Sequence, residues 1–464
     1  MNVILITIDS LRADHIGSLG YAKELTPNLD KIADEGVLFT QAFSCGPNTI
    51  LSIVPMLMSS YFALYFQNRS VNKIRTMNEL FSRYKDTVTK LNRRKPPIAE
   101  VLKNKGYKTS AFHSNPFLSK YYNIDKGFSY YDDSFTSIGK HCEPAKKIGV
   151  VLSRNKKLTS LARRFYWICC NKVSYVRAET INKKVISWLK KYKKENFFIW
   201  IHYMDTHIPY FPPAKFCNRL LVSNMDIYDI YSKMNKNEKV SQNELNAAIF
   251  LYDGTIRYID YAIGELIKKM DELSVLDDTI IIITADHGDE FGEHEGFVHS
   301  PKKLYDELIH VPLIIYNAEH KNIVVDKPVS LLDIAPTITD LLNLPVIKTF
   351  HGRSLIPVIK GEKITNGIIS EGFDPQEDKI IVSFRDEEWK YIFHGSSKKH
   401  ELYNIKNDPR ETKNLYEEEE EKAKEYESKI IEHISNQQKL VAMDIEREKI
   451  RRKIKKLREV EKTT

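Results

Sequence analysis

The sequence predicts an α/β protein in which a central mixed sheet is covered by helices, with a small antiparallel sheet and a long terminal helix towards the carboxyl end. Two observations carry this. Short β-branched runs, VILITI at 3–8, FFIWIHY within 197–205, TIIIITA within 279–290 and VPLIIY within 311–317, are apolar throughout, as strands buried on both faces must be. Helical stretches separate them, and that alternation suits a parallel or mixed sheet.

The elements follow in order. The run 3–8 ends at Asp9, so a carboxylate stands at the carboxyl end of the first strand, where such sheets bind ligands. Segments 63–98 and 138–178 are rich in Lys and Arg, lack clear periodicity, and read as insertions over the sheet. Within the second, LTSLARRFYWICCNKV mixes aromatic and basic residues; a buried helix with basic flanks is the plainer reading, and peripheral contact with a membrane or a lipid-like substrate the other. ETINKKVISWLKKYKK supplies a helix before the strand that ends at Asp205. At about 243–274, Ile249, Ile256, Ile259 and Ile263 recur at three and four and line one face of a helix. The strand in 279–290 again ends on a polar cluster, TADHGDEFGEH.

The catalytic α/β domain is thus expected over 1–365, a small α+β unit with strands IIVSFRD and EWKYIFHG over 366–415, and a charged amphipathic helix over 416–464. That helix carries Ile430, Ile434, Val441, Ile445, Ile450, Ile454 and Leu457 and a basic end from Arg447 to Lys462. Its expected contact is the body of the protein, a second subunit in a homo-oligomer, or an anionic surface. No nucleic-acid partner is expected, because no recognised binding module accompanies the basic end.

Composition bounds the rest. The 464 residues are about three times a typical domain length, with 42% hydrophobic and 28% charged residues, 25 Tyr and 21 Phe, which excludes a disordered or disulfide-stapled chain. Seventy Lys and Arg against 62 Asp and Glu leave +8, mildly favourable to anionic ligands. Five Cys (Cys45, Cys142, Cys169, Cys170, Cys217) without CxxC spacing suggest neither a disulfide framework nor a zinc site. MNVILITIDSLRAD reaches charged residues too soon for a secretion signal, so the expected localisation is cytoplasmic.

Three polar clusters fall on strand ends: Asp9 with Arg12, His202 with His207, and Asp286 with His287. Singly, each has an ordinary structural explanation. On one sheet edge, carboxylates and imidazoles together make a divalent-metal site with proton donors beside it.

The order ILITIDSLRADHIGSLGY, FTQAFSCGPNT, HYMDTHIPY, LYDGTIRYID, TIIIITADHGDEFGEH, LYDELIHVPLII, VSLLDIAPTITDLLNLP, HGRSL and ELYNIKNDPRETKNL resembles the sulfatase family of the alkaline-phosphatase superfamily over about residues 1–415. The resemblance implies an alkaline-phosphatase-like sheet and a nucleophile in a C/S-x-P-x-R stretch, with an L-T-G-R-Y-P-like run whose Gly lies ten positions on. Two registers compete. Cys45-Gly46-Pro47 gives C-x-P, but Thr49 occupies the Arg position and ten residues on lies only Pro55. From Thr49, ten residues reach Ser59 in MLMSSYF, and Tyr61 falls on the family Tyr; this register fits better.

By that resemblance Asp9, Thr49, Asp286 and His287 bind one divalent metal ion, Mn, Zn or Mg, with Ca disfavoured by the imidazole. Thr49 is the nucleophile and His207 contacts substrate oxygens or protonates the leaving group. Arg12, His202, His299, Lys302 and Lys303 are candidates for binding the anionic ester, while His294, Asp205 and His202 itself are open between supporting the site and structure. Asp9-Ser10 and Asp286-His287 stand where sulfatases carry Asp-Asp and Asp-Asn, which points to the phosphoryl-transferring branches. The expected function is a metal-dependent hydrolase or transferase of an anionic ester, most simply a phosphoester, through a covalent Thr intermediate. The alternatives are a sulfuric ester or phosphonate monoester hydrolase, and a degraded scaffold used as an interaction module.

Overall fold

The structure is a computed structural model that describes residues 1–67, 74, 76–134, 175–223, 225–317, 321–362, 367–395 and 399–460. The aromatic and basic run in 138–178, with Cys142, Cys169 and Cys170, lies outside the described residues. In chain order the strands are β1 Asn2–Ile8, β2 Val37–Phe43, β3 Lys108–His113, β4 Tyr130–Asp132, β5 Phe197–Tyr203, β6 Thr279–Ala285, the short pair β7 Glu290–Phe291 and β8 Phe297–Val298, then β9 His310–Tyr316, β10 Ile323–Val325 and β11 Val329–Ser330. The last four are β12 Ile368–Asp374, β13 Lys379–Arg385, β14 Lys390–Phe393 and β15 Glu401–Tyr403.

The main sheet runs β10-β2-β9-β6-β1-β5-β3-β4, with β11 also beside β2. β1 pairs in parallel with β5 and β6, while β9 is antiparallel to both β6 and β2, so the sheet is mixed. Every residue of β1, β5 and β6 is buried, which explains their largely apolar, β-branched and aromatic sequences: helices cover both faces. The register sets Ile8 beside both Tyr203 and Ala285, so the residues that follow the three strands emerge together.

One covering helix, Gln242–Glu272, starts at a capping box formed by Ser241 and Glu244 and buries Ile256, Ile259 and Ile263 as the periodicity expects. Ile249 is only partly buried, and Tyr252 one turn on is buried in the stripe. The helix Ala178–Tyr192 packs before β5, and its first amide, Ala178 N–H, donates to Asp205 Oδ2 at 3.0 Å. Asp205 is thus a structural cap, and burial raises its pKa to about 7 against the pull of Arg177.

β12 to β15 form the small antiparallel sheet. Its Phe373, Val382, Phe384, Tyr391 and Leu402 join the hydrophobic core of the main sheet. The helix Glu420–Val460 packs its first half on β13, β14 and the turn of helix Ala63–Phe66. Ala423, Tyr426 and Ile430 are buried there, with Ile434 and Val441 partly so. The side chains of Ile445, Ile450, Ile454 and Leu457 lie outside the described residues. Among the described residues no helix is long and apolar enough to cross a membrane, and the free cysteines Cys45 and Cys217 are buried.

Candidate active site

Asp9 and Asp286 each follow directly on a buried strand, and adjacent register brings them together at the carboxyl edge of the sheet. Ser10 takes a left-handed backbone conformation (φ 59°), a strained turn of the kind that collects at functional sites. That turn aims Ser10 N–H at Asp286 Oδ1 (3.2 Å) and Ser10 Oγ–H at Asp9 Oδ1 (3.1 Å).

Thr49 opens the helix Thr49–Met58, capped by Asn48, whose side chain accepts from Leu51 N–H. Its hydroxyl lies 3.5 Å from Asp9 Oδ2 and 3.4 Å from His287 Nε2, at a helix N-terminus that favours negative charge. Cys45 is elsewhere. Its thiol is buried, and burial together with the carboxylates of Asp333 and Glu371 pushes its pKa well above the usual thiol range.

His287 Nδ1–H donates to Gly288 O at 2.8 Å, which leaves the Nε2 lone pair facing Asp286 Oδ2 (3.5 Å) and Asp9 Oδ1 (3.7 Å). The following turn needs glycine: a Cβ on Gly288 would stand 2.1 Å from Glu307 O. Burial, and then the histidine His299, hold the His287 pKa down at about 4, so the imidazole is neutral and able to ligate.

The two carboxylates behave oppositely. Burial opposes ionisation of Asp9, but His207, the His202 hydrogen bond, His287 and the His202 charge together hold its pKa well below the usual range. Burial and then the charge of Asp9 push Asp286 well above it. Asp286 Oδ2 is moreover buried without a hydrogen-bond partner among the described residues. A divalent cation would satisfy that oxygen and neutralise the pair, so the donor set of two carboxylates, one imidazole and a hydroxyl fits a metal ion.

Beside this set stand two further imidazoles, His207 and His299. His207 Nδ1–H is tied to Ile208 O, which frees Nε2. The His207 and His299 rings are 5.4 Å apart, and His299 is 4.4 Å from His287, centre to centre. His299 Nδ1–H donates to Asp289 Oδ1 at 2.7 Å, and Tyr210 O–H holds the other Asp289 oxygen at 2.8 Å. Burial alone would lower the His299 pKa; the Asp289 bond and charge outweigh it and raise it.

The remaining sequence candidates are placed differently. His202 is fully buried beside Asp9, with Nε2 3.2 Å from Asp9 Oδ2 and Nδ1 2.9 Å from Thr7 Oγ1. Arg12 pairs with Asp14 (2.7 Å) and Glu293 (2.6 Å), and its Nη1–H also donates to Asp289 O at 3.0 Å. Lys302 pairs with Asp374 (3.1 Å) and Lys303 with Glu290 (2.8 Å). His294 is structural: its Nδ1 bonds Glu307 and its ring stacks on Tyr305. Of the anion candidates, only His299 joins the site.

Sequence reading missed Asn115, whose Nδ2–H donates to Asp9 Oδ2 at 2.9 Å, and it quoted Asp289 without assigning it a role. Asn115 lies two residues beyond β3, whose last residue His113 is in register with His202; the strand-end rule that found Asp9 would have found it.

The sulfatase family model matches residues 1–344, and the model for the C-terminal part of N-sulphoglucosamine sulphohydrolase matches 292–439. An arylsulfatase of Clostridium perfringens (strain 13 / Type A) is 24% identical over 459 residues, 91% of each chain. Arylsulfatase K of Bos taurus is 31% identical over 242 residues, 49% of this chain and 41% of the relative. Among solved structures, a phosphonate monoester hydrolase from Silicibacter pomeroyi superposes with a TM-score of 0.67 at 19% identity, covering 94% of this chain and 95% of that one.

Proposed function

The chain belongs to the sulfatase family, and from that premise we propose that it is a metal-dependent phosphoester hydrolase or transferase working through a covalent intermediate on Thr49. The observation that carries this reading is the Thr49 hydroxyl, 3.4 Å from His287 Nε2 and 3.5 Å from Asp9, where Cys45 does not reach. Sulfate release in this family exploits an aldehyde hydrate, formed by oxidising Cys or Ser; Thr cannot form that aldehyde. A phosphoryl group on Thr is an ordinary intermediate that water or an acceptor hydroxyl can cleave.

In this reading Asp9, Asp286, His287 and Thr49 hold one divalent ion, Mn, Zn or Mg. Bound there, the ion lowers the hydroxyl pKa of Thr49 and offsets charge on the transferring group. Thr49, its proton given up to solvent beforehand, forms the bond from Oγ to phosphorus as the bond to the ester alcohol breaks, and His207, protonated on both nitrogens in the reacting form, gives its Nε2 proton to the departing oxygen. Water then attacks phosphorus as its proton passes to His207 Nε2, and phosphate leaves with the Thr49 alkoxide and the protonated His207 restored. In this reading His299, steadied by Asp289, holds the phosphoryl oxygens. Cys45 and Cys217, buried and free, suit a reducing compartment, in keeping with a cytoplasmic place of action.

A second reading, sulfuric ester hydrolysis, draws on the relatives named arylsulfatase and on Cys45-Gly46-Pro47. A panel of aryl phosphates, phosphodiesters, phosphonates and sulfates, each with Mn, Zn and Mg, separates the two. Turnover of a phosphorus ester at least tenfold above any sulfate supports the proposal; turnover confined to sulfates overturns it.

A further inference from the structure

Behind the candidate metal set, β1 and β5 carry a chain of hydrogen bonds set up by their parallel register, in which Thr7 stands opposite His202. Trp200 Nε1–H donates to Thr7 Oγ1 at 3.0 Å, Thr7 Oγ1 lies 2.9 Å from His202 Nδ1, and His202 Nε2 lies 3.2 Å from Asp9 Oδ2. All four side chains are fully buried, so each polar atom depends on its neighbour.

Donor and acceptor chemistry fixes the direction. An ionised Asp9 can only accept, so the proton between it and His202 sits on Nε2. An indole can only donate, so Thr7 accepts from Trp200 and has its single proton to give forward. Two acceptors are in reach: His202 Nδ1 at 2.9 Å and Ile201 O at 3.2 Å. Ile201 lies within β5 between two paired strands, whereas Nδ1 has no second partner among the described residues. The Thr7 proton therefore goes to Nδ1.

Asp9, His202 and Asp286 also bring possible ligand atoms within 4.8 Å of one another, so the same histidine could instead turn a bare Nε2 to a cation. The tautomer decides between these roles. We propose that His202 is a positioning residue for Asp9 and not a metal ligand: Trp200 and Thr7 lock it as the Nε2–H tautomer, which pins the Asp9 carboxylate from behind. Asn115 Nδ2–H on the same oxygen, 2.9 Å away, completes the grip. In its functional consequence the inference rests on the metal-site reading above; in its tautomer it does not.

The test has two arms. In the first, the protein is labelled with ¹⁵N-histidine, His202→Gln assigns the signal, and long-range ¹H–¹⁵N spectra are recorded without metal. The expected pattern is protonated Nε2 with unprotonated Nδ1, retained in Thr7→Ser and lost to a tautomer mixture in Thr7→Val. A native His202 protonated on Nδ1 only would overturn the proposal. In the second arm, Mn²⁺ binding is titrated calorimetrically and kcat and KM are measured separately. His202→Phe and Thr7→Val are expected to weaken Mn²⁺ binding by about tenfold to a hundredfold and lower kcat with KM little changed. His202→Gln, whose amide can still donate to Asp9, is expected to recover most of both. Should His202→Phe fail to fold, Thr7→Val and Thr7→Ser carry this arm. Glutamine no better than phenylalanine, or Thr7→Val indistinguishable from native in both arms, would overturn the positioning role. A native chain that binds no Mn²⁺ yet shows the expected tautomer would instead refute the metal-site reading and leave the locked His202 standing.

Discussion

Replacing Asp286 with Asn separates the stability of the site from its use. Asp286 Oδ2 and Asp9 Oδ1 lie 3.5 and 3.7 Å from the same His287 nitrogen, so they are at most about 7 Å apart. Two unit charges at that distance repel by about 2 kcal/mol at an effective dielectric constant of 20. At pH 8 the metal-free native fold must either bear that repulsion or take up a proton on Asp286 to avoid it, and Asp286→Asn removes the need for both while its Oδ1 still accepts from Ser10 N–H and His287 N–H. Part of the gain is offset because bonds to a neutral amide are weaker, leaving about 1 kcal/mol, or one to two degrees in Tm for a chain of this size. The sign with pH follows from the raised pKa of Asp286. The folded state without metal holds a proton that the unfolded chain releases at about pH 4, so its stability falls as pH rises from there. Asp286→Asn abolishes that fall. Metal acts in the opposite sense: Mn²⁺ at a hundredfold excess over Kd stabilises the native chain by about 2.7 kcal/mol, and the variant forgoes this. Thermal scans at pH 5 and pH 8, with EDTA and with Mn²⁺, read all four terms. A variant less stable than native in EDTA at pH 8, or one that keeps the Mn²⁺ shift, would refute the reasoning.

Other outcomes follow from single contacts. Thr49→Ala is expected to lose about a thousandfold in kcat/KM, roughly 4 kcal/mol of transition-state stabilisation, while Cys45→Ala stays within about tenfold of native, both measured on aryl phosphates. His294, whose pKa is raised to about 9 because the bond and charge of Glu307 outweigh burial, gives stability that is complete below about pH 6.5 and lost as pH rises through about 9. His294→Gln flattens that slope in denaturant titrations between pH 6 and 10. Truncation after residue 415 exposes the sites covered by Tyr426 and Ile430 and costs roughly 4 kcal/mol, read as a lower urea midpoint.

The central strands were legible because a strand buried on both faces is mostly apolar along its whole length, and VILITI and TIIIITA advertise that. Asp9, Asp286 and His287 were legible for the same reason: they are the first polar residues after such strands. The short strands β4, β10 and β11 carry two or three residues each and leave no pattern. Where a long side chain ends up was beyond sequence, since Arg12 follows Asp9 by three positions but is captured by Asp14 and Glu293. Lys302 and Lys303 sit near His299 in sequence, yet Asp374 and Glu290 draw them off. His202 was noticed, but its role depends on a register with Thr7 that only the paired strands reveal.

In the proposed reaction Thr49 carries the transferring group. The most direct measurement is acid quenching of the Mn²⁺-loaded enzyme during turnover of an aryl phosphate, or of the best phosphorus ester from the panel, followed by peptide mass spectrometry across residues 44–61. A phosphoryl adduct on Thr49 that appears within a turnover, disappears when substrate is exhausted and is absent from Thr49→Ala is the predicted result. Formylglycine at Cys45, with an unmodified Thr49 throughout turnover, would contradict it.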